Sequence, residues 1–375
     1  MKEIILGGQT LVTGSGSLEH LAAVPARRAV IVTGGSSMIK TGVVAKIEKL
    51  LQAQGCATLV HAGVPANPDT EAVLAGVAQM RPFAPDLVIA VGGGSALDAA
   101  KVMTLFTEYP GLDFAAALAG ALPAARKAIR LVAIPSTSGT GSEVTKVAVV
   151  TFRDQNLKIG LRTPAFIPDI AILDADLTLT MPPNVVAETG MDALTHAVEC
   201  YINRNIDDFT GPMAAGAAAG LLEHLPVSYR DKTIDSREKV HNFQSLAGLA
   251  FGNVGLGAAH GIAHSLGGLW NLGHGLVNAI LLPHVLEYNA RDPWVGDRIR
   301  RLAAACGVPD LIAAIRGLNQ TLGIPASLRA AGIDEQTFTA ALPELVAGSM
   351  QGATRVNPVP VTPAEMEALL RRVYA

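Results

Sequence analysis

Residues Asp86–Lys101 read DLVIAVGGGSALDAAK, and this stretch decides the class of fold. Asp86–Val91 has the β-branched, apolar character of a strand, and it runs without a break into Gly92-Gly93-Gly94-Ser95. A helix is predicted from Ala96-Leu97-Asp98 onward. Three glycines at the end of a strand let the backbone approach a ligand closely and take up positive φ angles. The following helix turns its free N–H groups and the positive end of its dipole toward the same spot, where a pyrophosphate is the expected guest. The motif is short and is not the GxGxxG fingerprint, so taken alone it also fits a tight strand-to-helix turn with no ligand.

Working outward, the same alternation recurs. Ala29–Thr33, Ala57–His61 and Leu131–Pro135 read as strands, with helical patterns at Thr41–Gln54 and Asp69–Met80 between the first three strands. Lys146–Phe152 and Ile170–Leu173 read as further strands closing this half. Strands separated by helices of this length predict a parallel sheet covered on both faces. A second polar loop, Pro135-Ser136-Thr137-Ser138-Gly139-Thr140-Gly141-Ser142, follows its own strand. Its hydroxyls could simply form turns, but two such loops at strand C-termini sit where open α/β sheets bind ligands. The loop after Ala29–Thr33 is the expected contact for the adenosine ribose. It reads Gly34-Gly35-Ser36-Ser37, with Lys40 just beyond. No carboxylate stands there to repel a 2′-phosphate, so NADP is expected in preference to NAD, with Gly34 and Ser36 as cofactor candidates.

After about Leu177 strand signals vanish, and TLTMPPN reads as a hinge. The expected organisation is an α/β dinucleotide-binding domain over 1–178 and an all-α helical domain over 179–375 that carries metal and chemistry. In this second half Asp192 and His196 are four residues apart, as are His260 and His264, and His274 follows in a Gly-His-Gly setting. On a helix that spacing stacks both side chains of a pair on one face. A carboxylate among imidazoles suits Fe²⁺, Zn²⁺, Ni²⁺ or Co²⁺ better than Mg²⁺ or Ca²⁺. A single histidine on an apolar helix is usually a hydrogen-bonded core residue, and that reading is kept for His20, His61, His224, His241 and His284. Spacing alone does not choose between His260 and His264.

Composition removes other classes. A net charge of −3 and only 4% aromatic residues leave no footprint for nucleic acid. Three distant cysteines without a CxxC, and a start that lacks a signal peptide's apolar core, predict a reducing, cytoplasmic setting. The apolar run Ser245–Leu282 is long enough to span a bilayer, but it holds His260, His264, His274, Asn253, Asn271 and Asn278. Each is costly in hydrocarbon, so buried helices and no membrane contact are expected.

Four pieces, GGGSALDAAK, PSTSGTGSEVT, ETGMDALTHAVECYI and AHGIAHSLGG with GHGLVNAILLPHVLEYN, resemble the iron-containing (group III) alcohol dehydrogenase family in order and spacing. They cover roughly residues 60–290. The resemblance implies a dinucleotide-binding α/β domain followed by a helical metal domain. It implies Asp192, His196, His260 and His274 as ligands of a divalent metal, Fe²⁺ first and Zn²⁺ second. His264 is then the unligated histidine near nicotinamide and substrate, the candidate proton relay. It also implies cofactor contacts at Asn67, Gly92, Gly93, Gly94, Ser95, Asp98, Thr137, Ser138, Thr140 and Lys158. The expected reaction is reversible hydride transfer between NADP or NAD and a small alcohol or aldehyde, in a homodimer or larger homo-oligomer. The family's frequent Asp after the second strand is Gly34 here, and its usual Pro before Asn67 is Ala66. The enzymatic rivals are relatives resembling glycerol dehydrogenase, a dehydroquinate-synthase-like lyase and a metal-free maleylacetate reductase. Few basic residues near the metal motifs speak against the lyase, and the full ligand set speaks against the reductase.

Overall fold

The computed structural model describes residues 3–153, 157–270 and 272–375. Asn271, one of the polar residues noted in the apolar run, lies outside them. The chain divides into two compact units, Met1–Thr180 and Met181–Ala375.

The first unit is built on six parallel strands, β1 (Thr10–Thr13), β2 (Arg28–Gly34), β3 (Ala57–Val64), β4 (Leu87–Gly92), β5 (Arg130–Pro135) and β8 (Ile170–Leu173), in the order β1-β8-β5-β4-β2-β3. Helices α1 (Ser37–Lys40), α2 (Val43–Gln52), α3 (Thr70–Phe83), α4 (Gly94–Glu108) and α5 (Phe114–Leu118) connect them. Successive strand residues point to opposite faces, and both faces are buried. Val30, Val32, Val88 and Ala90 pack with Val73 and Val77 of α3 and Leu97 of α4. Ala29, Ile31, Leu87 and Ile89 pack with Ile47 and Leu51 of α2.

Three details differ from the sequence reading. The segment Lys146–Phe152 is a strand, but β6 (Val147–Phe152) stands outside the parallel sheet and pairs antiparallel with β7 (Leu157–Arg162). Its burial alternates, with Ala148, Val150 and Phe152 inside, the pattern of a hairpin with one covered face. The helix expected over Thr41–Gln54 starts later, at Val43, after Gly42 whose φ of 78° separates α2 from the short α1. The helix α4 begins at Gly94, two residues before the predicted start.

Among the described residues the regular structure of the second unit is helical: α6 (Pro183–Ile202), α7 (Thr210–Asp231), α8 (Ile234–Val254), α9 (Ala258–Trp270), α10 (His274–Asn289), α11 (Pro293–Ala305), α12 (Leu311–Thr321), α13 (Glu335–Ser349) and α14 (Pro363–Tyr374). One core runs through it, from Leu194 and Val198 of α6 through Ile262 of α9 and Leu281 of α10 to Leu370 of α14. Among the described residues no single helix is long and apolar enough to cross a membrane. The pair α8 and α9 reaches that length together but bends by 101° at the break between them.

Candidate functional site

In the first unit the chain leaves β2 for β3 on one side and then for β4 on the other, so β2 and β4 flank the topological switch point where open sheets take ligands. Gly34 and Gly92 end those two strands. Among the described residues seven of the fourteen α-helices start on an Asp or Thr whose side chain accepts a first-turn N–H, as Asp69 does for α3, Thr233 for α8 and Thr362 for α14. By contrast α4 starts after Gly93 with no side-chain cap, which suits its first turn to an external anion. The hydroxyl-rich loop folds over it. A methyl on Gly94 would stand 2.7 Å from Thr140 Cγ2, and one on Gly93 3.7 Å from Thr137.

Asp98 ties this arrangement together. Its carboxylate accepts bonds from Ser142 Oγ at 2.6 Å and from the Val149 N–H at 3.0 Å. One turn on, the buried Lys101 donates to the carbonyls of Thr145 and Val147 at 3.0 and 2.8 Å. Burial pulls its ammonium down to about 8, against the raising influence of Asp98 and Glu143. Asn67, at a left-handed φ of 56°, donates its N–H to Ser95 Oγ at 3.2 Å. The structure thus gathers Gly34, Asn67, Gly92, Gly93, Gly94, Ser95, Asp98, Thr137, Ser138 and Thr140 at or just beyond the C-terminal ends of β2, β3, β4 and β5. Ser36 is exposed beyond Gly34. Lys158 lies opposite Thr151 on the hairpin, and burial lowers its pKa.

In the second unit Asp192 and His196 lie on α6, His260 and His264 on α9, and His274 opens α10. Ligand atoms of Asp192, His260 and His274 come within 4.8 Å of one another. Asp192 Oδ1 is 3.6 Å from His260 Nε2 and 3.7 Å from His274 Nε2. The His196 ring stacks on His260 at 4.5 Å and on Phe251 at 4.3 Å. His264 stacks on His274 at 5.1 Å and lies 6.3 Å from His260, between ring centroids.

Burial would raise the Asp192 carboxyl, but His196, His274 and His260 around it hold it well below the ordinary carboxylate range. Burial would lower His260, and the neighbouring carboxylates of Asp192 and Glu199 push it instead up to about 9. The decisive atom is His260 Nε2. It is buried with no hydrogen-bond partner, while Nδ1 on the other side of the ring is held by Glu199 Oε2 at 2.7 Å. Nε2 thus faces a carboxylate and a second imidazole, and it becomes a metal donor once a cation displaces its proton, so the donor set fits a divalent cation.

Two neighbours went unread in the sequence. Glu199 is seven residues beyond Asp192, on the same face of α6, and that helical spacing was the available signal. Asn278 donates to Asp192 Oδ1 at 2.7 Å and lies 3.2 Å from His274 Nε2. Its place four residues after His274 was visible, but an asparagine carries no metal signal by itself.

Known proteins give this geometry its context. The profile "Iron-containing alcohol dehydrogenase" matches residues 8–175, and "Fe-containing alcohol dehydrogenase family, C-terminal" matches residues 186–374. The chain belongs to the iron-containing alcohol dehydrogenase family. It is an NAD(P)-dependent oxidoreductase acting on alcohols and aldehydes. It is similar to an NADPH-dependent butanol dehydrogenase of Clostridium saccharobutylicum, 38% identical over 96% of this chain and 95% of that one. It is 36% identical to the 1-propanol dehydrogenase PduQ of Citrobacter freundii over 97% of each chain. The iron-containing alcohol dehydrogenase of Thermococcus thioreducens superposes with a TM-score of 0.93 at 33% identity, over 99% of each chain.

Proposed function

We propose that the chain interconverts short primary alcohols and their aldehydes with NADP(H) as the preferred hydride carrier, using a cation held by Asp192, His196, His260 and His274. The observation that carries the metal assignment is the buried, unpartnered Nε2 of His260 facing Asp192 and His274. A bound Fe²⁺ or Zn²⁺ supplies Lewis acidity toward an alcohol or carbonyl oxygen. Asp192 brings the negative charge of the cluster, and Glu199 keeps the proton of His260 on Nδ1, leaving Nε2 as donor. His264 takes up the proton of the substrate hydroxyl on its imidazole and passes it to water, the role of a general base. At the other locus the first turn of α4 receives the pyrophosphate, and the Thr137–Thr140 hydroxyls donate to its oxygens.

The NADP preference rests on the absence of a carboxylate at Gly34–Ser37 and on the NADPH-dependence of the Clostridium relative. The two relatives named for butanol and 1-propanol support short linear substrates. No disulfide joins the three cysteines, which suits a reducing compartment such as the cytoplasm. A homodimer or larger assembly is proposed and is read directly by light scattering on the purified protein. The deciding experiment follows NADPH and NADH oxidation against a panel of short aldehydes with Fe²⁺-loaded, Zn²⁺-loaded and chelated protein. Metal-dependent consumption with a higher kcat/KM for NADPH is expected. Activity that survives the chelator removes the metal from the reading, and equal efficiencies with both nucleotides remove the NADP preference.

A further inference from the structure

Helix α9 carries His260 as its third residue, yet no residue of its own caps it: the preceding sequence is Gly255-Leu256-Gly257. The first N–H groups of a helix need acceptors, and here they come from two distant parts of the chain. Glu199, on α6, accepts the Gly257 N–H on Oε2 at 3.0 Å and the Ala259 N–H on Oε1 at 2.7 Å. Asn357, at the end of the short turn Gly352–Val356, accepts the Ala258 N–H between them on Oδ1 at 3.0 Å. Both side chains are buried. Asn357 is itself held in a reciprocal amide pair with Asn289 of α10, at 2.8 and 3.2 Å, and donates to the Val359 carbonyl at 2.7 Å. Gly257 makes room for this, since a methyl there would stand 2.8 Å from Asn357 Oδ1 and 2.9 Å from Glu199 Oε1.

We propose that Glu199 and Asn357 are positioning residues for the metal centre, capping α9 from outside that helix and so fixing where His260 stands. Glu199 acts twice, on the backbone of the first turn and on the Nδ1 edge of the His260 ring. The ring is therefore fixed in both orientation and height. Metal–ligand distances tolerate only a few tenths of an ångström, so a helix start free to shift by more than that spoils the donor set without losing a ligand. Asn289 and Asn357 extend the same control to α10, the helix that carries His274. The proposal rests on the reading of Asp192, His260 and His274 as a metal site.

The test measures Zn²⁺ affinity of the full-length protein by chelator competition, and the Co²⁺ absorption spectrum, for wild type, Glu199→Gln and Asn357→Leu. Gly257→Ala is the further variant, because it deletes no hydrogen-bonding group and only drives a methyl between the two caps. Leu370→Ala, in the core at α14, serves as a control for lost stability alone. Expected is a loss of Zn²⁺ affinity of about 10- to 100-fold in each of the three site variants that folds, with an altered Co²⁺ spectrum. Leu370→Ala should melt earlier yet bind Zn²⁺ as the wild type does. Wild-type affinity in a folded Glu199→Gln or Gly257→Ala protein overturns the proposal. So does a loss that merely tracks melting temperature across all variants, Leu370→Ala included. A wild-type protein that takes up no Zn²⁺ or Co²⁺ overturns the metal reading itself, and this proposal with it.

Discussion

His260 and His264 are one helical turn apart, and nothing in their spacing distinguishes them. The distinction lies in their neighbours: Glu199 grips one ring, and His274 stacks on the other. Helical periodicity in the sequence relates residues of one helix, so the Asp192/His196 and His260/His264 pairs were legible. Glu199, about two turns beyond Asp192 on α6, had the same kind of spacing to signal it, whereas the arrival of His274 from α10 depends on tertiary packing, which no local pattern encodes. If His264 relays protons, His264→Asn lowers kcat about 100-fold and leaves metal content by elemental analysis unchanged. Loss of metal in that variant makes it a ligand instead. His284 offers a separate titration. Burial, and the nearby Arg372 and Arg316, pull it down to about 4. As pH falls from about 6.5 toward 4 the unfolded chain gains a proton that the folded chain refuses, so stability declines across that window. His284→Gln should therefore recover about 1 kcal/mol at pH 5 relative to pH 7, solvent screening having softened the effect. Denaturant melts at the two pH values check it.

At the scale of elements, the strand-loop-helix unit at Asp86–Lys101 was readable because one continuous segment supplies strand, glycine turn and helix. The hairpin was half readable. Val147–Phe152 has strand composition, but its antiparallel partner Leu157–Arg162 carries two basic residues and a glycine in LKIGLR, which mask the pattern. The short edge strand β1 gave no signal of its own, since most of it is exposed. Helix α4 starts earlier than predicted because packing under Thr140 selects glycine at a position where helix propensity argues against it. Gly94→Ala tests the nucleotide locus through that contact. The added methyl must push the Thr137–Thr140 loop off the helix start, and the expected result is a KM for NADPH raised about tenfold, in line with overpacking costs of about 1–3 kcal/mol. Metal content should stay at the wild-type level. An unchanged KM places the pyrophosphate elsewhere.

At the scale of the molecule, each unit has its own core: two clusters flank the sheet of the first, and one large cluster fills the helical unit. All the candidate metal ligands belong to the second unit. Zn²⁺ at about a hundred times its dissociation constant should then add about 2.7 kcal/mol to the stability of the helical unit. Calorimetry with and without a chelator reads this as a transition that moves for the helices and stays fixed for the sheet. Two transitions moving equally would mean that the units unfold as one.

The order β1-β8-β5 has a consequence during synthesis. The place between β1 and β5 belongs to residues 170–173, and Asp174 then accepts the Gly16 and Leu18 N–H groups at 3.1 and 2.8 Å. At bacterial or eukaryotic ribosome speeds of about 5–20 residues per second, the first strand waits roughly 8–32 s for its neighbour to emerge. Meanwhile β2 to β5 can pair, leaving the apolar edge of β5 open as a template for other chains. The nascent enzyme is most vulnerable in that interval, and chaperone capture should peak in chains stalled before residue 170 and fall once residue 174 has cleared the exit tunnel.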